Sequence, residues 1–248
     1  MSFPFAISQT FPENWPAPLK DLAAPMTSIV LTPEDASALG AFSTAFRQQL
    51  DVRARDFLSD ALLSEIDAAL LKYPEGVMPR IGYCSWKASL IEKRAAKTRN
   101  DVMQIITTDD PRVGNALSVL VGSDDPVVLH MRAWRMIPDW SEVRLFFKNG
   151  KFVGASQYAY RRSFPEITSN AKEIETMVAR AASVIVEKLH LSDVIVDLAL
   201  LPSDGKSPVS GLKPLLIELN PFSPLTDACL FSWEKGGNFD GRFRWTQA

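Results

Sequence analysis

The chain has 248 residues, 46% of them hydrophobic and 23% charged, with a formal net charge of −2. That length carries one large domain or two lobes with a substantial core, and the near balance of charge gives no global reason to expect nucleic acid or an anionic membrane as partner. Cys84 and Cys229 are the only cysteines, His130 and His190 the only histidines, and none has metal-ligand spacing, which argues against a zinc site or disulfide framework and for a reducing, cytoplasmic setting.

No run of about 18 apolar residues and no basic leader followed by an apolar stretch occurs, so no membrane span or targeting segment is expected. Residues 1–31 hold five prolines with Phe3, Phe5, Phe11 and Trp15, the composition of an extended arm packed over another surface. Thr32-Pro33-Glu34-Asp35 has the order of a helix start, and Leu39, Phe42, Phe46 and Leu50 continue at helical spacing, predicting a helix over 34–50. Leu58, Leu62, Ile66 and Leu70 predict a second over 55–72. Both stripes are core positions.

After the punctuation of Tyr73-Pro-Glu-Gly76, Pro79-Arg-Ile-Gly-Tyr-Cys-Ser-Trp-Lys-Ala88 sets Arg80 and Lys87 among small, aromatic and apolar residues, where a cation either snorkels to water or meets a phosphate. The run Lys93, Arg94, Lys97, Arg99 reads as a solvated face. Asp101–Ile106 is expected as a strand, Pro111–Val121 as a short helix and Val127–Arg132 as a strand. An arginine- and tryptophan-rich stretch, Arg132–Trp140, leads into a hairpin whose strands, 143–147 and 151–160, flank the turn dipeptide Asn149-Gly150. On its first strand Arg144 and Phe146 share a face, and Arg144 has either a structural carboxylate or a ligand phosphate to pair with.

The apolar period through Ile174, Val178, Ala181, Ile185 and Leu189 predicts the longest helix, over 166–191. A strand over 193–200 carries Asp197, and another over 214–220 carries Glu218 and Asn220 on one face, with Pro221 ending it. Neighbouring antiparallel strands would bring the three oxygen-bearing side chains together, a set suited to a hard cation such as magnesium with nucleotide phosphates. The structural alternatives are that Asp197 binds a backbone amide, that Glu218 pairs with Arg144, and that Asn220-Pro221 is only a turn. No repeat, phosphate-binding glycine loop, dinucleotide fingerprint or nucleophile elbow is present.

Met131-Arg-Ala-Trp134, Glu142-Val-Arg144, Ala155-Ser-Gln-Tyr158, Leu216-Ile-Glu-Leu-Asn-Pro221 and Leu225-Thr-Asp-Ala-Cys-Leu-Phe-Ser-Trp-Glu234 occur in that order. Together with Pro79–Ala88, they resemble the cell-division-cycle 123 family over roughly residues 79–234. The resemblance implies an α+β, two-lobed ATP-grasp fold with nucleotide bound between antiparallel sheets. The implied divisions are an arm over 1–31, a helical region and smaller lobe over 32–130, and a second lobe over 131–248. It implies ATP and Mg2+ as cofactors, with Asp197, Glu218 and Asn220 as metal ligands and Arg80, Lys87, Met131, Arg132, Trp134, Glu142, Arg144 and Tyr158 around the nucleotide. Arg144 and Lys87 would act in any catalysis by stabilising charge on the phosphates. Two positions depart from the family pattern: Glu218 stands where aspartate is usual, and Tyr158 where arginine is frequent.

Three functions then compete. The first is an ATP-dependent ligase, and the second a nucleotide-dependent assembly chaperone for a protein partner, as the eukaryotic members are for translation initiation factor 2. The third is an RNA ligase that would use the basic run 93–99 on the nucleic-acid backbone.

Overall fold

The structure, a computed structural model, describes residues 5–50, 58–82, 84–86, 94–123, 125–202 and 211–247. It divides into two compact units, Met1–Glu13 with Ala24–Arg135, and Asn14–Ala23 with Met136–Ala248. The N-terminal stretch forms short helices α1 (Phe5–Ser8) and α2 (Ala17–Lys20) around a 3-10 turn at Pro12–Asn14. Its Phe11, Trp15 and Leu19 are buried.

In the first unit, β1 (Met26–Val30) is followed by α3 (Pro33–Gly40), α4 (Thr44–Leu50), α5 (Asp60–Lys72), β2 (Val77–Ile81) and β3 (Cys84–Ser85). Then come α6 (Arg99–Ile106), α7 (Pro111–Val121) and β4 (Val128–Ala133). Among the described residues the strands form an antiparallel sheet of order β1-β4-β2-β3, and its core includes Ile29, Phe46, Ile66, Ile81, Ile105, Leu117 and Leu129.

The single helix expected over 34–50 is two helices. Thr32 caps α3 by accepting the Asp35 amide at 3.1 Å, but the chain turns at 41–43 so that the Phe46 ring lies against Gly40. In a straight helix, positions six apart point about 120° from each other and sit about 9 Å apart along the axis; the contact requires the break. Asp109, from the α6–α7 connection, then accepts the Thr44 amide at 3.0 Å and the Thr44 hydroxyl at 2.6 Å, holding the start of α4.

The helix expected from residue 55 starts at Asp60, where Ser59 accepts the Leu62 amide; residues 51–57 lie outside the described residues. The strand expected over 101–106 is helix α6. Thr98 and Asp101 make a reciprocal capping box, and Val102, Ile105 and Ile106 fill the core at helical spacing. A run of β-branched residues mimicked a strand there, whereas the capping pair fixed a helix.

In the second unit, hairpin strands β5 (Glu142–Lys148) and β6 (Lys151–Gln157) precede helices α8 (Pro165–Thr168) and α9 (Ala171–Val186). Strands β7 (Val194–Pro202), β8 (Leu212–Pro221) and β9 (Phe243–Arg244) complete it. The sheet order among the described residues is β8-β7-β5-β6-β9, with β9 alone parallel to its neighbour. The expected hairpin forms with φ of 51° at Asn149 and 68° at Gly150. Helix α9 buries Ile174, Val178, Ala181, Ala182 and Ile185, stops five residues short of the expected end, and lies against β6 and β8.

One irregularity sets which side chains share the site. In the β7–β8 ladder Asp197 opposes Glu218 but Leu198 opposes Leu216, leaving Ile217 as an extra residue. The bulge shifts side-chain phase by one, so Leu216 joins the apolar face of Leu198 rather than the face of Glu218. The Leu216 amide donates at 2.8 Å to Leu22, in the N-terminal stretch, which forms a parallel bridge along β8 at Ala23.

The packing at Gly40 yields a test. A Cβ there would lie 2.5–2.6 Å from three atoms of the fully buried Phe46 ring. Gly40→Ala should therefore cost about 1–3 kcal/mol of stability in urea unfolding, although alanine raises helix propensity by about 1 kcal/mol. A stabilised variant would show that the α3–α4 corner yields freely.

Candidate functional site

Residues directly opposite in an antiparallel ladder point to the same face. Register therefore places Arg144 of β5 beside Asp197 of β7 and Ser156 of β6. Glu218 stands opposite Asp197, and Asn220 opposite Ile195, on β8. One face of the five-stranded sheet thus collects Ser156, Arg144, Asp197, Glu218 and Asn220, in addition to Phe146 and Ile195.

Asp197 is completely buried and Arg144 is 4% exposed. The Arg144 guanidinium grips the carboxylate as a fork, Nε to Oδ1 and Nη2 to Oδ2, both at 2.7 Å, and its Nη1 donates to the Asp227 carbonyl at 2.7 Å. Of the structural alternatives, the carboxylate that pairs with Arg144 is Asp197 rather than Glu218. The Asn220 side-chain amide donates to Asp197 Oδ2 at 3.0 Å and to Glu218 Oε1 at 3.4 Å. Glu218 and Asn220 are only half-buried, so the cluster is deep at Arg144–Asp197 and opens outward at the β8 edge.

Burial pushes the Asp197 carboxyl up to about 6; Arg144 pulls it down, and the neighbouring Glu218 charge pushes it further up. For Arg144 burial opposes the charge, but the Asp197 carboxylate outweighs it and holds the guanidinium above its ordinary value. With one cation and two carboxylates the cluster carries net negative charge on hard oxygen donors. Among the described residues, however, no group of three or more His, Cys, Asp or Glu side chains is arranged as a metal site.

Beside Arg144 lies a cavity of about 270 Å³, lined by Arg144, Tyr158, Tyr160, Arg161, Arg162 and Cys229, with Ala159 and Asp227. Tyr158 carries the Arg144 guanidinium 4.9 Å from its ring centre. The loop after β6 is fixed by the buried Gln157, whose Nε2 donates to the carbonyls of Ala159 and Arg162. Ser156 accepts the Leu230 amide at 3.2 Å, joining β6 to the turn that carries Asp227 and Cys229. Cys229 has φ of 54°, a left-handed conformation that a non-glycine residue adopts at a cost. Burial pushes its thiol up to about 12, against the pull of Arg144, which keeps it protonated.

Under this turn, Phe146, Phe222, Phe231, Trp233 and Phe239 pack ring on ring at 4.8–5.4 Å. Gly154 has no side chain because a Cβ would come within 2.7 Å of Phe231. The Trp233 indole N–H donates to the Thr226 carbonyl at 2.8 Å and closes the loop.

The other expected site residues are distributed as follows. Glu142 begins β5, two residues before Arg144, and its carbonyl accepts the Tyr158 amide at 3.0 Å. Arg80 is buried on β2, opposite His130 of β4 and Ser85 of β3. Met131 and Arg132 lie on β4 and Trp134 follows it, donating its amide to Gly76 at 2.9 Å. These four belong to the first unit, whereas the Arg144 cluster belongs to the second. Lys87 lies outside the described residues. The Gln157 clamp, the Asp227 carbonyl and the left-handed Cys229 were not singled out from sequence. They fall inside the Ser-Gln and Thr-Asp-Ala-Cys blocks, whose structural duty only the fold reveals.

Comparison with known proteins adds four findings. The D123 family model matches residues 116–236. A curated relative from Xenopus laevis, named translation initiation factor eIF2 assembly protein, is 28% identical over 116 residues, 46% of this chain. The match spans about a third of that relative's length (32%). The solved structure of Cdc123 from Schizosaccharomyces pombe is similar over 100% of this chain and 99% of its own, with a TM-score of 0.76 at 16% identity. A C-terminally truncated form of the same protein covers 98% and 97%, with a TM-score of 0.77 at 17% identity. At that identity the likeness establishes the fold: α+β, with two sheets.

The charges around Asp197 set a titration. Its folded carboxyl titrates at about 6, and the same group in an unfolded chain at about 3.9, so the folded state holds this proton more tightly. The stability it contributes is full below about pH 4 and is lost as pH rises through about 6. Carbon-13 titration of the Asp197 carboxyl should show the raised midpoint, and Glu218→Gln, which removes a like charge, should lower it and flatten the matching fall in urea stability. An unchanged midpoint would mean that Glu218 does not act on Asp197.

Proposed function

Taking as premise that this chain is D123-type over residues 116–236 on a Cdc123 fold, we propose that it binds ATP with magnesium and serves as an assembly factor for a protein complex, in the manner that the name of its Xenopus laevis relative describes. The observation that carries the reading is the convergence of Asp197, Glu218 and Asn220 on one face, with Arg144 locked behind them.

The donor set fits the cation. Two carboxylates and an amide are hard oxygen groups, and the carboxylates are only half compensated by Arg144. Magnesium, when bound, would neutralise phosphate charge. Glu218, at the open end, would hold it from the protein side with Asp197 behind. Asn220 now turns its NH2 to the carboxylates and would offer its oxygen after the amide rotates. Arg144 fixes the Asp197 carboxylate in one orientation, and Tyr158 shields that guanidinium from water on its ring side. On the resemblance alone, Arg80, Met131, Arg132 and Trp134 in their own unit, with Lys87 and Glu142, are proposed as further nucleotide contacts.

Assembly is favoured over ligation because the guanidinium that phosphoryl transfer would need is already engaged by Asp197 and the Asp227 carbonyl. Ligation is the second reading, favoured by the cavity beside Arg144, where an acceptor has room. In the described part of the basic run, Arg99 is paired with Asp67 and Lys97 lies 3.9 Å from Glu75, which lends the RNA reading no support; Lys93 lies outside the described residues.

Titration calorimetry with ATP and magnesium tests the site. Glu218→Ala combined with Asn220→Ala should weaken binding at least about tenfold, the loss of one or two charge-assisted contacts, while circular dichroism stays unchanged. Equal affinity would overturn the assignment. Product analysis then separates the readings: an assembly factor releases little ADP or AMP, a ligase releases either one only with its acceptor.

A further inference from the structure

A separate set of side chains comes together in the first unit, on the sheet of order β1-β4-β2-β3. Ser28 of β1 stands directly opposite His130 of β4. The Leu31 amide donates to the Val127 carbonyl and the Pro25 carbonyl accepts the Ala133 amide, so by antiparallel alternation the odd positions of β1 turn their backbone groups toward β4. Ser28 and His130 are then a non-hydrogen-bonded pair, the kind in which opposite side chains lie closest. Ser28 Oγ is 2.9 Å from His130 Nδ1. The other ring nitrogen, Nε2, is 2.8 Å from Glu13 Oε2 in the N-terminal stretch.

These partners fix the proton positions. A carboxylate only accepts, so the ring proton of a neutral His130 sits on Nε2 and is donated to Glu13; Nδ1 is then an acceptor, and the Ser28 hydroxyl donates to it. The imidazole is completely buried, Glu13 is half-buried and Ser28 is exposed. A buried histidine needs partners for both nitrogens, whereas an exposed serine has water at hand. Here its hydroxyl is committed to a base that water does not reach. A hydroxyl outside, a base beneath it and a carboxylate that orients the base are the parts of an activated nucleophile.

Two further features suit acyl transfer. Among the described residues β1 is an edge strand, and by the same alternation the Ser28 N–H points out of the sheet, where it can donate to an oxygen that develops charge. Met26 and Val30 share the Ser28 face of the strand, and Val30 is 65% exposed, which gives the hydroxyl an apolar flank.

We propose that Ser28, His130 and Glu13 act as nucleophile, general base and positioning carboxylate in the hydrolysis of esters of apolar acyl groups. Ser28 Oγ bonds to the acyl carbon while its proton passes to His130 Nδ1, and the carbonyl electron pair moves onto its oxygen, beside the Ser28 N–H. As that oxygen re-forms the double bond, the alkoxide leaves and takes the proton from Nδ1. Water, deprotonated by the same nitrogen, then releases the acid and restores Ser28, so that ester and water give acid and alcohol. The reaction uses neither the Arg144 cluster nor a nucleotide.

The test uses the full chain, with p-nitrophenyl butyrate as substrate and a fluorophosphonate as covalent probe. Peptide mass mapping should find the phosphonyl group on Ser28. Ester cleavage should fall to the buffer rate in Ser28→Ala, an exposed position where circular dichroism should stay unchanged. Glu13→Gln should lower kcat at least about tenfold at unchanged KM, and Glu13→Asp should recover part of it; a carboxylate that only pinned the N-terminal stretch would change thermal stability without this split. The proposal is overturned if Ser28 takes no label, if Ser28→Ala cleaves the ester as the wild type does, or if Glu13→Gln leaves kcat unchanged.

Discussion

The buried fork between Arg144 and Asp197 is the constraint on which the second unit depends. It joins β5 to β7 in the middle of a sheet, with Phe146 and Ile195 next along the two strands and the polar Ser156 and Glu218 on the flanking ones, and both partners are almost without solvent. An ion pair in that position is costly to desolvate and tolerates neither partner alone, because a lone buried charge costs about 3–5 kcal/mol. The remaining polar groups therefore satisfy what the fork leaves over. Asn220 adds a donor to Asp197, and the Asp227 carbonyl takes the third direction of Arg144. The site is thus specified from the inside outward, with Glu218 as its least confined member.

Two backbone devices make this arrangement possible. The bulge at Ile217 lets β8 present Glu218 to the polar face while Leu216, two residues away, stays on the apolar one. The N-terminal stretch then takes up the Leu216 amide at the outer edge of β8, so a segment far away in sequence completes the edge strand that carries the carboxylate. The turn after β8 is held from below by packed aromatic rings and from the side by Ser156. Its aromatic residues support the loop that bears Asp227 and Cys229.

The same economy explains the Ser-Gln pair at the end of β6. Ser156 and Gln157 are buried polar residues, and a buried polar group must find partners. Theirs include backbone groups of two separate loops, 158–162 and 227–230, and the Thr246 amide near the C-terminal end. They convert the end of a strand into a fixed cavity wall, which gives the second unit a pocket without requiring a helix or a further strand to enclose it.

Periodicity and turn chemistry made much of the molecule legible. The Asn149-Gly150 hairpin, the strands bearing Asp197 and Glu218, and the buried stripe of α9 follow from residue spacing and local conformational preference, which operate within a few residues. The i, i+2 rule put Glu218 and Asn220 on one face without any knowledge of their neighbours. Where local signals conflicted, the sequence misled: β-branched Val102, Ile105 and Ile106 suggested a strand although Thr98 and Asp101 had already capped a helix. Tertiary structure alone decided that Phe46 folds back on Gly40 and splits a helix. It alone decided that Arg144 pairs with Asp197 rather than Glu218, that a bulge rephases β8, and that Gln157 and Cys229 shape a cavity. Each of these depends on which strands become neighbours and in what register, a long-range choice settled by burial of the whole sheet, and no window of adjacent residues contains it.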